Sequence, residues 1–213
     1  MNKDKIVLAT SDNGTTVTVS DINKFIADKD RKALAIFIYD RLYGRYIKPH
    51  DYPSDSYIKN YKNGFAIMAS CCLLIETYVS FKAKEFRKTK NLSGQCFGYF
   101  FTTEERFKAF SKGGRQKDGT ISTIKQCGIP NDFFINVRCG ILHNGETKNG
   151  WKITRIQTKP LLNQNSKEIN AVKFLNNMKA ILKDYKTKLT NSNYDDEVWV
   201  IFLNRLEDLI NEI

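Results

Sequence analysis

The apolar positions of this chain recur mostly at helical spacing. Ile22, Phe25, Ile26, Leu34, Ile38, Leu42 and Tyr46 predict a helix that Ser20 caps and that runs to about residue 47. A polar patch over residues 28–32 is placed to divide it, and residues 49–53, bounded by prolines, read as a linker. Ser54 or Asp55 opens the longest predicted helix, to about residue 88. Its middle, GFAIMASCCLLIETYVSF, is apolar nearly all round, as the central helix of a bundle is. Residues 91–94 read as a turn. An aromatic-rich stretch over 95–110 follows, with Thr103 as the cap of a second short helix. Residues 123–129 predict a short helix ended by Gly128-Ile129-Pro130, with Asn131 or Asp132 capping the next. That next helix has Phe133, Phe134, Val137, Ile141 and Leu142 as its core stripe and stops at Asn144-Gly145. Asn170 caps a helix to about residue 189, and Asp195-Asp196-Glu197 starts the last one.

Alternation of period two is confined to two places. Residues 6–9 and 15–19 flank Asp12-Asn13-Gly14, a hairpin signal. Residues 151–157 alternate again, with Pro160, Asn163 and Asn165 marking a turn beside a short partner strand. The expected fold class is therefore mainly α: a helical bundle with small β-hairpin excursions near the N-terminus and after the helix that ends at Asn144. Residues 1–19 form the hairpin and 20–189 the helical domain, with its β excursion at 151–162. An acidic helix over 190–213 packs on the same domain.

Charge changes this picture by suggesting a partner. The formal net charge is +11, and residues 82–117 hold ten Lys/Arg against three acids, whereas 195–213 hold six acids against Arg205. A basic middle suits a polyanion, because neutralising phosphates releases counterions. Arg87, Lys88, Lys112, Arg115 and Lys117 are the candidate contacts to the phosphates of such a polyanion, the last three on the flexible loop KGGRQKDGT. The neighbouring rings, Phe97 to Phe110, more often fill a core than stack on bases. Five cysteines without CxxC spacing suggest a reducing compartment. With no signal-peptide pattern, and with the longest apolar run (65–75) short of a bilayer span, the expectation is a cytoplasmic chain with no membrane partner.

Several chemistries find no support in the sequence. P-loop, dinucleotide and GxSxG signatures are absent. Cys139 and His143 stand four apart, but a zinc site needs two further ligands, and Cys96 or Cys127 would have to supply them from loops. No metal and no cofactor are expected. Glu76 lies inside the apolar central helix, where a carboxylate needs a partner; Arg138 or a tyrosine is the best placed. Arg138 and His143 are the remaining candidates for chemistry. Five residues on an ideal helix is about 140° of rotation, so they converge only if Gly140 between them loosens the helix, the long arginine swings toward the last turn, or a second subunit completes the site.

The segment Arg138-Cys-Gly-Ile-Leu-His143 resembles the R-x4-6-H motif of the HEPN superfamily, on a late helix as that motif is. The central apolar helix likewise resembles that of HEPN proteins of abortive infection and antiviral defence. The resemblance implies a HEPN-like bundle with metal-independent endoribonuclease activity, toxin or defence roles, and a homodimer in which two motifs share a cleft. In that reading His143 moves protons at the ribose 2′-hydroxyl or the leaving 5′-oxygen, and Arg138 holds the phosphate, with Glu76 and Asn144 in support. RNA is the expected partner, with a cognate antitoxin or defence-system protein as a further one. Cys139 stands where many members have Asn, Asp or His, and Gly145 where one toxin branch has tyrosine. Cys139 favours the alternative, a non-catalytic HEPN-like module that binds RNA or another protein.

Overall fold

The computed structural model describes residues 2–51, 62–87, 92–114 and 128–213. It is mainly helical, with two small sheets among the described residues. Strands β1 (Val7–Thr10) and β2 (Thr16–Thr18) pair antiparallel around the expected turn, where Gly14 takes a positive φ of 84°. Helix α1 (Val19–Ala27) starts from a capping box: the Thr18 side chain accepts from the Asp21 amide, and Asp21 accepts from the Thr18 amide. Thr18, rather than Ser20, is thus the cap. The polar patch does divide the helix. Lys29 adopts a φ of 51°, and Asp30 caps α2 (Arg31–Leu42) by accepting from the Ala33 amide at 2.9 Å.

α2 runs into a π-helical turn, Tyr43–Ile47, before the short 3-10 turn Lys48–His50. Helix α3 (Gly64–Lys82) is the central element and contacts most of the other helices. By length and composition it is apolar enough to cross a membrane, so the length argument made from residues 65–75 alone does not hold. Its place is set by burial: Ile67, Met68, Cys71, Cys72, Leu74, Ile75, Tyr78, Val79 and Phe81 are all enclosed by protein. The helix ends at Lys82, short of residue 88, which like Ser54 and Asp55 falls outside the described residues.

Helix α4 (Ser93–Thr103) begins inside the expected turn and passes into a 3-10 segment, Glu105–Phe110. Thr103 caps nothing; its hydroxyl donates back to the Tyr99 carbonyl at 2.8 Å. The rings of this stretch are core. Phe97, Phe100, Phe101, Phe107 and Phe110 are buried and, with Phe133 and Phe174, make a continuous aromatic cluster with centroids 4.5–6.4 Å apart. Stacking of these rings on nucleic-acid bases is thereby ruled out, since their faces are already covered.

Residues 128–144 form one continuous helical stretch in three parts: α5 (Gly128–Phe133), a π-helical turn (Phe134–Arg138) and α6 (Cys139–Asn144). Neither Asn131 nor Asp132 caps it, because the helix has already started at Gly128, with Pro130 in the first turn, where its missing amide donor costs nothing. Most of the expected helix over 123–129 lies outside the described residues. The second sheet follows. Strand β3 (Lys152–Thr154) pairs parallel with β5 (Glu168–Asn170), which pairs antiparallel with β4 (Leu162–Asn163), in the order β3-β5-β4. The β excursion thus extends past residue 162, and its first strand joins a parallel pair rather than a hairpin.

Asn170 is fully buried and serves two elements. Its Oδ1 caps helix α7 (Ala171–Asn191) at the Lys173 amide, 3.1 Å away, and its Nδ2 donates to the Ile156 carbonyl at 2.8 Å. α7 packs on α2 and α3. Helix α8 (Glu197–Asn211) lies on α3 through Trp199, Phe202 and Leu206, with Phe81 and Phe202 in ring contact at 5.8 Å. Truncating Phe101 at the centre of the aromatic cluster removes contacts to several buried rings at once. Phe101→Ala should cost about 3–5 kcal/mol, read as a lowered denaturant midpoint at unchanged slope; a loss under 1 kcal/mol would show that the cluster is not the core.

Candidate active site

The site forms where the 128–144 helix crosses α3. Arg138 ends the π-helical turn, a wide turn of the kind found where a helix is adapted to a site. Its guanidinium is held on three sides. Nε and Nη2 donate to Glu76 Oε1 at 2.9 and 2.8 Å, and the group lies over the Phe134 ring, 5.5 Å from its centroid. Nη1 is 3.4 Å from His143 Nε2 and 4.0 Å from Cys139 Sγ. A guanidinium only donates, so in this contact Nε2 of His143 accepts and the ring proton sits on Nδ1. Arg138 and His143 therefore meet within one subunit, through the reach of the arginine rather than through a shared helix face.

Glu76 has the partner its burial demanded. The two side chains are 15 % and 16 % exposed, and Ser93 Oγ donates to the other carboxylate oxygen at a long 3.4 Å. Burial opposes the arginine's charge, but the Glu76 carboxylate and the bonds to it and to Cys139 more than offset this, so the Arg138 pKa stands above its ordinary value. Burial first, and then the nearby Glu76 charge, pushes the thiol of Cys96 up to about 12; burial, followed by the neighbouring Cys71, holds that of Cys72 well above its usual value, which makes both inert packing groups.

His143 is exposed on the last turn of α6, with Asn144 exposed beside it, and Gly145 closes the helix at a left-handed φ of 72°. The loop that follows is fixed by residues that periodicity did not single out. Gly140 is buried, and a Cβ there would stand 2.5 Å from the Glu146 carbonyl oxygen, so the glycine permits close packing rather than loosening the helix. Asp132 accepts from the Trp151 indole at 3.0 Å and from the Asn136 amide, while Asn149 Nδ2 donates to Asn136 Oδ1 at 2.7 Å. The Lys148 amide donates to the Asn136 carbonyl at 2.8 Å, which leaves the Lys148 side chain exposed on that loop. The Asp-x3-Asn spacing and Trp151 are the only signals of this network in the sequence.

The described part of the basic stretch is largely neutralised. Arg87 is engaged bidentately by Asp208 on α8, Lys82 pairs with Glu104, Arg106 with Asp184 at 3.0 Å, and Lys108 with Glu105 at 3.1 Å. The acidic C-terminal helix thus meets the basic stretch within the chain. Lys112 is exposed; Lys88, Arg115 and Lys117 lie outside the described residues. Among the described residues no three His, Cys, Asp or Glu side chains are grouped to hold a metal ion, and Cys127 falls outside them. Comparison of the chain with protein-family models, with curated proteins and with solved structures finds no match in any of the three.

Two outcomes follow from this geometry. Arg138→Ala leaves a mostly buried carboxylate and should destabilise by roughly 3 kcal/mol. Adding Glu76→Ala to it should recover part of that loss, and strict additivity of the two in a double-mutant cycle would contradict the pairing. Gly140→Ala must displace the Glu146 backbone; a crystal structure of that variant with the loop unmoved would show the contact to be dispensable.

Proposed function

We propose that the chain is a metal-independent RNA endonuclease of HEPN type, acting as a toxin or an antiviral defence effector. The observation that carries this reading is the contact between Arg138 and His143 at the end of α6, with the guanidinium oriented by Glu76. The R-x4-6-H resemblance gives the pair its assignment, and the convergence of two side chains about 140° apart on an ideal helix supports it.

In this mechanism the scissile phosphate binds against Nη1 of Arg138 and displaces it from His143. Nε2 of His143 takes the proton of the ribose 2′-hydroxyl, and the 2′-oxygen attacks phosphorus. The bond from phosphorus to the 5′-oxygen breaks, and that oxygen receives a proton. The products are a 2′,3′-cyclic phosphate and a 5′-hydroxyl end. The nucleophile comes from RNA itself, so the step asks no metal of the protein, and DNA lacks the attacking group. Arg138 stabilises the negative charge that grows on the phosphoryl oxygens.

A homodimer fits this reading. Leu73 and Ile135, on the two helices that carry Glu76 and Arg138, are exposed apolar side chains, at 44 % and 46 %. A second copy seated there brings a second His143 into the cleft as the proton donor to the 5′-oxygen. Lys112 and Lys148 are exposed cations suited to the RNA backbone. The engagement of two of the three Arg138 nitrogens by Glu76 favours the second reading, a HEPN-like module that binds RNA or a cognate partner protein without cutting.

Incubating purified protein with total RNA in excess chelator separates the two. His143→Ala should fold normally and lose about two to four orders of magnitude in cleavage rate. Arg138→Lys should rescue poorly, because an ammonium cannot hold Glu76 and phosphate through one planar fork. RNA binding without cleavage by the wild type would establish the binding module instead. Leu73→Asp and Ile135→Asp should each give monomers and abolish cleavage; a fully active monomer would remove the shared cleft.

A further inference from the structure

Arg41 is a buried arginine without a carboxylate. Its side chain is 7 % exposed, yet no acidic group among the described residues pairs with it. One bond is made, from Nη1 to the Leu8 carbonyl of β1. No buried side-chain nitrogen or oxygen among the described residues lacks a partner, so the donors that Leu8 does not take open onto solvent. They do so in a groove of about 360 Å³ between β1 and the end of α2, which Arg45, Lys48, Asp40 and Gly44 also line.

The groove sits on the π-helical turn Tyr43–Ile47, about 4.4 residues per turn by its i→i+5 bonding, which brings positions four apart close to alignment. Arg41 and Arg45 are such a pair. Arg45 is exposed and makes no ion pair with a described residue, while Lys48 holds Asp12 at 2.7 Å in an exposed contact of little strength. Burial first, then the nearby charges of Arg45 and Arg205, lowers the Arg41 pKa to about 10, still fully charged at neutral pH. Like charges gathered around a half-enclosed space are costly unless an anion completes them.

Two guanidiniums and an ammonium offer only donors, in the planar geometry that phosphate oxygens accept. Asp40 lines the same groove. Its pKa is raised, mainly by burial and then by Asp12, and its carboxyl is an acceptor for a hydroxyl. The volume exceeds that of a bare phosphate and lies within the range of small-ligand sites. We propose that this groove is a binding site for a phosphate group, set by Arg41 and Arg45, with Asp40 meeting the hydroxyls of a phosphate ester. No residue in it belongs to the Arg138–His143 site, so the proposal stands apart from the nuclease reading.

Calorimetric titration of the full chain with inorganic phosphate, ribose 5-phosphate and adenosine 5′-monophosphate tests it without reading any cleavage. Saturable binding at one site per chain is expected, weakened about tenfold or more by Arg45→Ala, the loss of one charge-assisted contact. Gly44→Leu, which fills the groove from a position whose Cβ meets only the Thr10 carbonyl at 3.9 Å, should also block binding. The arms identify the source. Esters that bind more tightly than inorganic phosphate, by a margin that Asp40→Asn removes, mark an ester site; equal affinities mark free phosphate. Arg41→Met should abolish binding, and if that variant fails to fold, the Arg45 and Gly44 variants still decide. Absence of binding by all three probes at millimolar concentration would overturn the proposal and leave Arg41 a staple for β1. Binding that neither Arg45→Ala nor Gly44→Leu changes would overturn it equally.

Discussion

The pair between Glu76 and Arg138 is the constraint on which the rest of the site depends. It joins the middle of the central helix to the helix carrying the motif, and it holds two nitrogens of the guanidinium in place. A free arginine samples many rotamers and loses that freedom on binding a ligand. Here most of the loss has been taken on folding, by the carboxylate on one edge and the Phe134 ring on one face. The third nitrogen is then directed toward His143. The same contact serves stability, because neither charge is tolerable alone among apolar neighbours. Stability and orientation are therefore one interaction, and a single variant at either position disturbs both.

The surrounding fold makes that contact possible. Most of α3 is enclosed, and Glu76 lies on its more open face, where the 128–144 helix crosses it. The π-helical turn before Arg138 and the close approach of Glu146 to Gly140 fix that helix from both ends. The Asp132–Asn136–Asn149–Trp151 network holds the loop that follows. By contrast, Lys82, Arg87 and Arg106 of the basic stretch pair with acids of the same chain, and the acidic α8 is part of that arrangement. Net charge is a property of composition; which cations remain available is a property of packing.

Much of this was legible in the residues, and the misses have physical causes. The helical class followed from periodicity, and the need of Glu76 for a partner from its place in an apolar run. Asn170 was readable as a cap because a short polar side chain before an amphipathic stretch has one common use. Thr18 was missed for Ser20 because both are capping residues two apart, and the return bond from Asp21 decides between them. The convergence of Arg138 and His143 was not readable from spacing, since five residues on a regular helix point the two apart and side-chain reach has no periodicity. Nor was either π-helical turn, which no propensity marks. The parallel pairing of β3 with β5 joins segments sixteen residues apart, beyond any local pattern.

In the proposed reaction a 2′-hydroxyl of RNA is the nucleophile and His143 the group that takes its proton. The most direct measurement is the chemistry of the cut ends, with a substrate carrying a single 2′-deoxy nucleotide at a mapped cleavage position. The expected outcome is 2′,3′-cyclic phosphate and 5′-hydroxyl ends in the presence of chelator, and no cut at the deoxy position while neighbouring positions are still cleaved. Cleavage at the deoxy position, or products bearing 5′-phosphate ends, would contradict it.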